Sequence, residues 1–167
     1  MLIRDELQSD RDAVHALNAS AFDTPAEADL VDALRREAQS LLSLVAEIDG
    51  EIVGHILFSP VTLSNHAGFR MMGLAPMAVT PAHQGTGIGS ALVRAGLERC
   101  RESGVAAVVV LGHPAYYPRF GFAPASRFSI DSDYDVPAEA FMVVELQRDS
   151  LHGRTGRVQY HPAFGSV

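Results

Sequence analysis

The segment that most constrains this chain is Gln84-Gly85-Thr86-Gly87-Ile88-Gly89-Ser90-Ala91-Leu92, which follows directly on the apolar run Leu74-Ala75-Pro76-Met77-Ala78-Val79. It reads as a strand, a glycine-rich turn and the first turn of a helix. Backbone N–H groups collect at such a helix start and the macrodipole favours negative charge there, which makes it a ready site for phosphate. Glycine permits the left-handed angles that let backbone approach a ligand closely. The chemistry implied is binding of a molecule that carries a pyrophosphate.

Two common phosphate loops fit poorly. A P-loop needs Gly-x-x-x-x-Gly-Lys-Ser/Thr with a lysine on the terminal phosphates, and this chain has no lysine, all 13 of its Lys+Arg residues being arginine. A Rossmann fingerprint wants Gly-x-Gly-x-x-Gly/Ala and a carboxylate closing the next strand. Here the third position is Ser90, and the next strand, Val105 to Leu111, ends in Gly112-His113. About seventy residues also precede a unit that normally opens its domain.

A third pattern fits. Gln84-x-x-Gly87-x-Gly89 matches the Arg/Gln-x-x-Gly-x-Gly/Ala motif of GNAT-superfamily acyltransferases, and Gly112-His113-Pro114-Ala115-Tyr116-Tyr117-Pro118-Arg119-Phe120-Gly121-Phe122 is similar to the segment in which those enzymes carry a Tyr four residues before Gly-Phe. With Leu-Ala-Pro-x-Ala-Val ahead of the loop, the chain most resembles the YhbS-like predicted N-acetyltransferases over about Leu2 to Leu146. The resemblance implies an α/β GNAT fold whose mixed central sheet, flanked by helices, is splayed at the junction of the fourth and fifth strands (Met71–Val79 and Val105–Leu111). It also implies that the loop holds the pyrophosphate of acetyl-CoA, the acyl donor.

Composition agrees with one globular domain over residues 1–167, a core to about 146 and a C-terminal tail from 147 to 167. A chain of this length buries roughly 70% of its unfolded surface. No stretch approaches the ~18 apolar residues of a membrane span, so no membrane partner is expected. The start, Met1-Leu2-Ile3-Arg4-Asp5-Glu6, lacks the shape of a signal peptide, which makes the cytoplasm the default location. The single cysteine suits a reducing compartment. A net charge of −7 argues against nucleic acid and is compatible with steering of a cationic amine.

Periodicity and punctuation predict the order β-α-α-β-β-β-α-β-α-β. Helices are expected over Asp10 to Ala21, capped by Ser9 or Asp10, and from Pro25 to about Ala38, where Thr24-Pro25-Ala26-Glu27 reads as a capping box. Leu41 to Ile48 and Glu51 to Leu63 form a hairpin about Asp49-Gly50. Met71 to Val79 is a strand that Pro76 interrupts. A helix over Gly87 to Ser103 is predicted to bury Ile88, Leu92, Gly96 and Cys100. The run Val105 to Leu111 reads as a buried central strand. A short helix over Pro114 to Arg119 follows, then a turn-rich stretch from Ala123 to Pro137. Ala140 to Leu146 and Gly156 to Tyr160 complete the strands.

Acyl transfer from a thioester to an amine needs a neutral amine, a stabilised carbonyl oxygen and a proton for the leaving thiolate. It needs no metal and no covalent enzyme intermediate. No Gly-x-Ser-x-Gly elbow is present and Cys100 falls on a buried helix face, so direct transfer is expected. By the resemblance, Tyr117 protonates the departing CoA. The backbones of Met77, Ala78 and Val79 pair with the pantetheine arm, and Gln84, Gly85, Thr86, Gly87, Ile88, Gly89 and Ser90 hold the pyrophosphate.

A general base is harder to find, because the strand before the loop carries no carboxylate. His113 is the best titratable candidate, with holding the turn before Pro114 as its alternative. His55 reads equally as a core histidine, and the capping box already accounts for Glu27. The seven histidines show no metal-ligand spacing, and Asp131, Asp133 and Asp135 lack the remainder of a calcium loop, so they read as solvated turn acids. The acceptor is a small-molecule or peptide amine, and self-pairing through Phe141–Leu146 or the tail is left open. The rival reading is a non-catalytic acyl-CoA-binding sensor on the same fold.

Overall fold

A computed structural model describes residues 1–166. The chain divides into two compact units, one made of residues 1–59, 75–96 and the segment from 161 onward, the other of residues 60–74 and 97–160.

In the first unit, β1 (Leu2–Asp5) pairs antiparallel with β2 (Leu42–Ile48), from Leu2↔Glu47 to Asp5↔Leu44. β2 returns as β3 (Glu51–Leu63) through Asp49-Gly50, where both φ values are positive, 51° and 81°. A two-residue hairpin of this twist requires that geometry, which is why Asp-Gly was informative. Alternate residues of β3 face opposite ways. On one face Gly54 makes room for α3 (Ile88–Glu102): a Cβ there would meet Leu92 Cδ1 at 2.9 Å and Ile88 Cγ2 at 3.0 Å. Further along that face the Phe58 ring occupies the space that a side chain on Gly96 would need. On the other face the imidazole of His55 meets Asn18 of α1 (Arg11–Ala21). α2 (Ala26–Glu37) packs on α1 and buries Ala28, Leu30, Val31 and Leu34.

Two expected helix caps take another form. Asp10 does sit before α1, but its carboxylate accepts the Leu7 N–H at 2.7 Å and the Arg4 guanidinium at 2.7 Å instead of capping the helix. The Thr24–Glu27 capping box does not form. Pro25 occupies the cap position, the Thr24 hydroxyl accepts only the Ala26 N–H at 3.3 Å, and Glu27 is left without its reciprocal bond.

In the second unit, β4 (Met71–Val79) contributes its first half, which runs parallel to β5 (Ala107–Leu111) from Met71↔Ala107 to Leu74↔Val110. The ladder stops there, and Pro76, two residues on, has no N–H with which to extend one. β5 pairs antiparallel with β8 (Phe141–Glu145), which also holds the two-residue β6 (Ala123–Pro124). The sheet is therefore mixed, as expected. A second ladder joins the end of β3 to β9 (Gly156–Gln159), and β9 to β7 (Ile130–Ser132). The tail thus belongs to the fold through β9. Met71, Val109, Phe141, Val143, Leu151 and Val158 are among the core residues of this unit. Among the described residues no helix is long and apolar enough to cross a membrane.

Candidate active site

The turn after β4 is held by its own side chains. The Thr80 N–H donates to the Val53 carbonyl at 2.9 Å, and the Thr80 hydroxyl meets His83 Nδ1 at 3.0 Å. The Gln84 amide donates to the Val79 carbonyl at 3.0 Å, and the Thr86 hydroxyl to the His83 carbonyl at 2.6 Å. Gln84 therefore fastens the loop to the end of β4 and takes up one lone pair of the Val79 carbonyl. Between these ties Gly85 and Gly87 adopt φ of 76° and 90°, and a Cβ on either would meet nothing within 4 Å. Space does not demand glycine here; the left-handed backbone does.

α3 begins at once. The Gly87 carbonyl accepts the first helical bond from the Ala91 N–H at 3.0 Å, and Ile88, 5% exposed, pins the helix start against Gly54. The N–H groups of a helix's first turn have no intrahelical acceptor and meet the positive end of the dipole. Gln84 to Gly87 are exposed, so this helix start is open to an anion. Of the three β4 residues expected to line the pantetheine arm, Ala78 is buried, while Met77 and Val79 are half-buried. All ten of these residues lie in the first unit.

His113 and Tyr117 lie in the second unit. The Gly112 N–H donates to the Ala140 carbonyl at 2.9 Å, and the His113 carbonyl accepts the N–H groups of Tyr116 and Tyr117 at 3.1 and 3.3 Å. The His113 backbone thus holds the turn, while its imidazole is exposed. A 3-10 turn over Tyr117–Phe120, shorter and later than the expected helix, closes on Gly121 with φ of 96°. Tyr117 is 9% exposed, edge-on to Tyr116 at 5.0 Å and to Phe122 at 5.6 Å between ring centroids. Burial, and then the neighbouring Tyr116, push its phenol up to about 12. At neutral pH it therefore keeps its proton, as a donor to a thiolate must. Gly112 is small for a reason: a Cβ there would lie 2.9 Å from Tyr117 Cδ2.

Other groups singled out in the sequence have structural explanations. His55 is fully buried between Asn18 and Ser43 and is a core histidine. Cys100 is buried against Met72, and burial pushes its thiol up to about 12, which suits a packing role and not a nucleophile. Asp131 and Asp133 are more than solvated turn acids, since both pair with Arg157.

One grouping escaped the sequence: His15, Asp29 and Asp32 bring three ligand-type atoms within 4.8 Å of one another on α1 and α2. Asp32 is already engaged by His15 at 2.8 Å and Arg35 at 3.2 Å, so the group reads as an ion-pair cluster. Only the helix pairing brings these positions together.

Comparison with known proteins adds the following. The acetyltransferase (GNAT) family model matches residues 8–122. The uncharacterized N-acetyltransferase YhbS of Escherichia coli K12 is 41% identical over 165 residues, covering 98% of each chain. The crystal structure of Escherichia coli YhbS in complex with CoA superposes with a TM-score of 0.93 at 40% identity, covering 98% of this chain and 91% of that one. A GNAT-family acetyltransferase of Brucella melitensis in complex with acetyl-CoA gives a TM-score of 0.80 at 36% identity, covering 98% and 97%.

Proposed function

The chain belongs to the acetyltransferase (GNAT) family and is an N-acetyltransferase by that membership, and we propose that it moves an acetyl group from acetyl-CoA to a primary amine by direct attack. The observation that carries the reading is the loop after β4, where Gly85 and Gly87, both left-handed, open the start of α3 to solvent. That is the shape a pyrophosphate needs. Bound CoA in the YhbS structure and bound acetyl-CoA in the Brucella protein support the same ligand here. We infer a single acetyltransferase domain over residues 1–167, a reading that the near-full-length match to YhbS favours.

In this reading the first-turn N–H groups of Gly87 to Ser90 hold the pyrophosphate, with Gln84 and Thr86 fixing the loop. The backbones of Met77, Ala78 and Val79 carry the pantetheine arm, and one N–H there polarises the thioester carbonyl. The neutral amine attacks the acetyl carbon, the C–S bond breaks, and the Tyr117 hydroxyl gives its proton to the CoA sulfur. The exposed imidazole of His113 receives the proton that the new amide nitrogen sheds. A cytoplasmic location and a small-molecule or peptide acceptor complete the reading.

Tyr117→Phe tests it. Loss of the acid should lower kcat by roughly 10²-fold or more while acetyl-CoA affinity stays nearly constant. Unchanged turnover refutes the assignment. Absence of turnover in the wild type with every amine offered, despite tight CoA binding, would favour the non-catalytic sensor.

A further inference from the structure

The second unit holds an open groove of about 560 Å³ that the acetyl-transfer reading does not use. Small-molecule sites commonly span about 300–1,000 Å³, so its size suits a small ligand. Strand register builds it. β7 and β9 run parallel with Asp131 opposite Arg157, and Ser129 and Thr155 stand one step before the paired Ile130 and Gly156. Residues two apart share a face, which sets the Ser129 and Thr155 hydroxyls beside the Asp131–Arg157 pair. Ser64 joins them from the turn after β3. Its hydroxyl accepts the Arg157 N–H at 2.8 Å, and its own N–H donates to the Arg157 carbonyl at 3.0 Å. Gly156, with φ of 144°, permits that approach, because a Cβ there would lie 3.0 Å from the Ser64 carbonyl oxygen.

Donors and acceptors alternate along the groove. The Arg157 guanidinium gives its Nε–H and an Nη2–H to Asp131, both at 3.3 Å, and an Nη1–H to Asp133 at 3.2 Å. Those bonds do not exhaust the five N–H donors of a guanidinium, and the carboxylates keep lone pairs. Among the described residues the hydroxyls of Ser126, Ser129 and Thr155 enter no hydrogen bond, and each can both donate and accept. Water satisfies such exposed groups, so a ligand that displaces it must reproduce both kinds of bond.

Charge narrows the class. Arg157 stands against two carboxylates, so an anion would face Asp131 and Asp133 while a cation would face Arg157. A neutral ring with several hydroxyls suits all of these groups. Its adjacent hydroxyls can reach a carboxylate oxygen and a guanidinium N–H together, and its rigidity limits the entropy lost on binding.

We propose that this groove is a carbohydrate site that takes a neutral pyranose. Asp131 and Arg157 clamp two adjacent hydroxyls, and Ser126, Ser129 and Thr155 bind the others. None of these residues belongs to the acetyl-transfer reading, so the two stand or fall separately.

Saturation-transfer NMR on the whole chain tests it, with the methyl α-pyranosides of glucose, galactose and mannose as probes and sodium sulfate as competitor. At least one pyranoside should bind in the millimolar range, as an open polar groove implies, and sulfate should not displace it. Ser126→Ala with Thr155→Val removes two hydroxyls at exposed positions, and Arg157→Gln removes the fork. Each variant, shown to be folded by its thermal melt, should lose the transfer signal while acetyl-CoA affinity holds. No transfer from folded wild type to any of the three sugars overturns the proposal. Transfer that survives in either variant also overturns it, by placing the sugar elsewhere. Displacement by sulfate would overturn it too, by making the groove an anion site.

Discussion

Lowering the pH from 7 to 5 should destabilise this protein through one residue, His55. Its imidazole is fully buried in a chain of bonds with a fixed direction. Asn18 Nδ2 donates to the Val14 carbonyl at 3.0 Å and meets His55 Nδ1 at 3.1 Å, so Nδ1 must accept. His55 Nε2 then carries the hydrogen and donates to Ser43 Oγ at 2.9 Å, and Ser43 passes its own hydrogen to Glu6 Oε1 at 3.0 Å. Glu6 is closed off by Arg35. Protonating Nδ1 would set a donor against a donor. Flipping the Asn18 amide to relieve this would set its oxygen against the Val14 carbonyl.

Burial, and then the Arg35 charge, drive His55 down from 6.5 to about 3. Because the folded value is depressed, the unfolded chain binds the extra proton between those two limits. Stability from this residue is complete above 6.5 and is lost progressively as the pH falls towards 3. At pH 5 the loss is about 2 kcal/mol, a large share of the 5–15 kcal/mol that holds a typical domain. The Asp10 carboxyl, held low first by its bond to Arg4, acts only below its ordinary 3.8 and so lies outside the range from pH 7 to 5.

Urea unfolding at pH 7, 6 and 5 on wild type and His55→Gln is the assay. The variant has a different baseline, so the slope with pH is what counts. The wild type should lose about 2 kcal/mol across the range, and the variant little of it. Equal slopes in the two proteins would refute the reasoning.

Three further outcomes are expected. Gly112→Ala pushes a methyl into the Tyr117 ring, and initial-rate kinetics should record a fall in kcat of tenfold or more with acetyl-CoA affinity kept. Gly96→Ala drives a Cβ into the Phe58 ring, whose Cζ would lie at 2.6 Å, so chemical denaturation should show a loss of roughly 1–3 kcal/mol. Cys100, buried and with its thiol raised to about 12, should resist iodoacetamide at pH 8 until the chain unfolds, and Cys100→Ala should keep acetyl transfer.

The legibility of this fold in its sequence was uneven, for physical reasons. β3 and β4 have the bounds that the turn residues around them imply. The loop from Gln84 to Ser90 was legible because its glycines are needed for backbone angles, a local property. What failed depended on choices between local partners: Thr24-Pro25-Ala26-Glu27 fits the capping-box pattern, yet Pro25 takes the cap and frees Glu27. β6 and β7, with two and three residues, are too short to show alternation. The chain through Asn18, His55, Ser43 and Glu6 draws on a helix, two strands and the loop after β1, and the pairing of Arg157 with Asp131 and Asp133 spans 26 and 24 residues. Spacing along a sequence records which face a residue takes, not which distant partner waits there.

The most direct test of the central claim is calorimetric titration of acetyl-CoA into the wild type and into Gly87→Val, with NAD as a control. Valine cannot easily take the φ of 90° at which the loop turns into α3. Micromolar binding that CoA competes and NAD does not, weakened at least tenfold in folded Gly87→Val, is the predicted result. No binding by folded wild type, or equal binding by the variant, would contradict it.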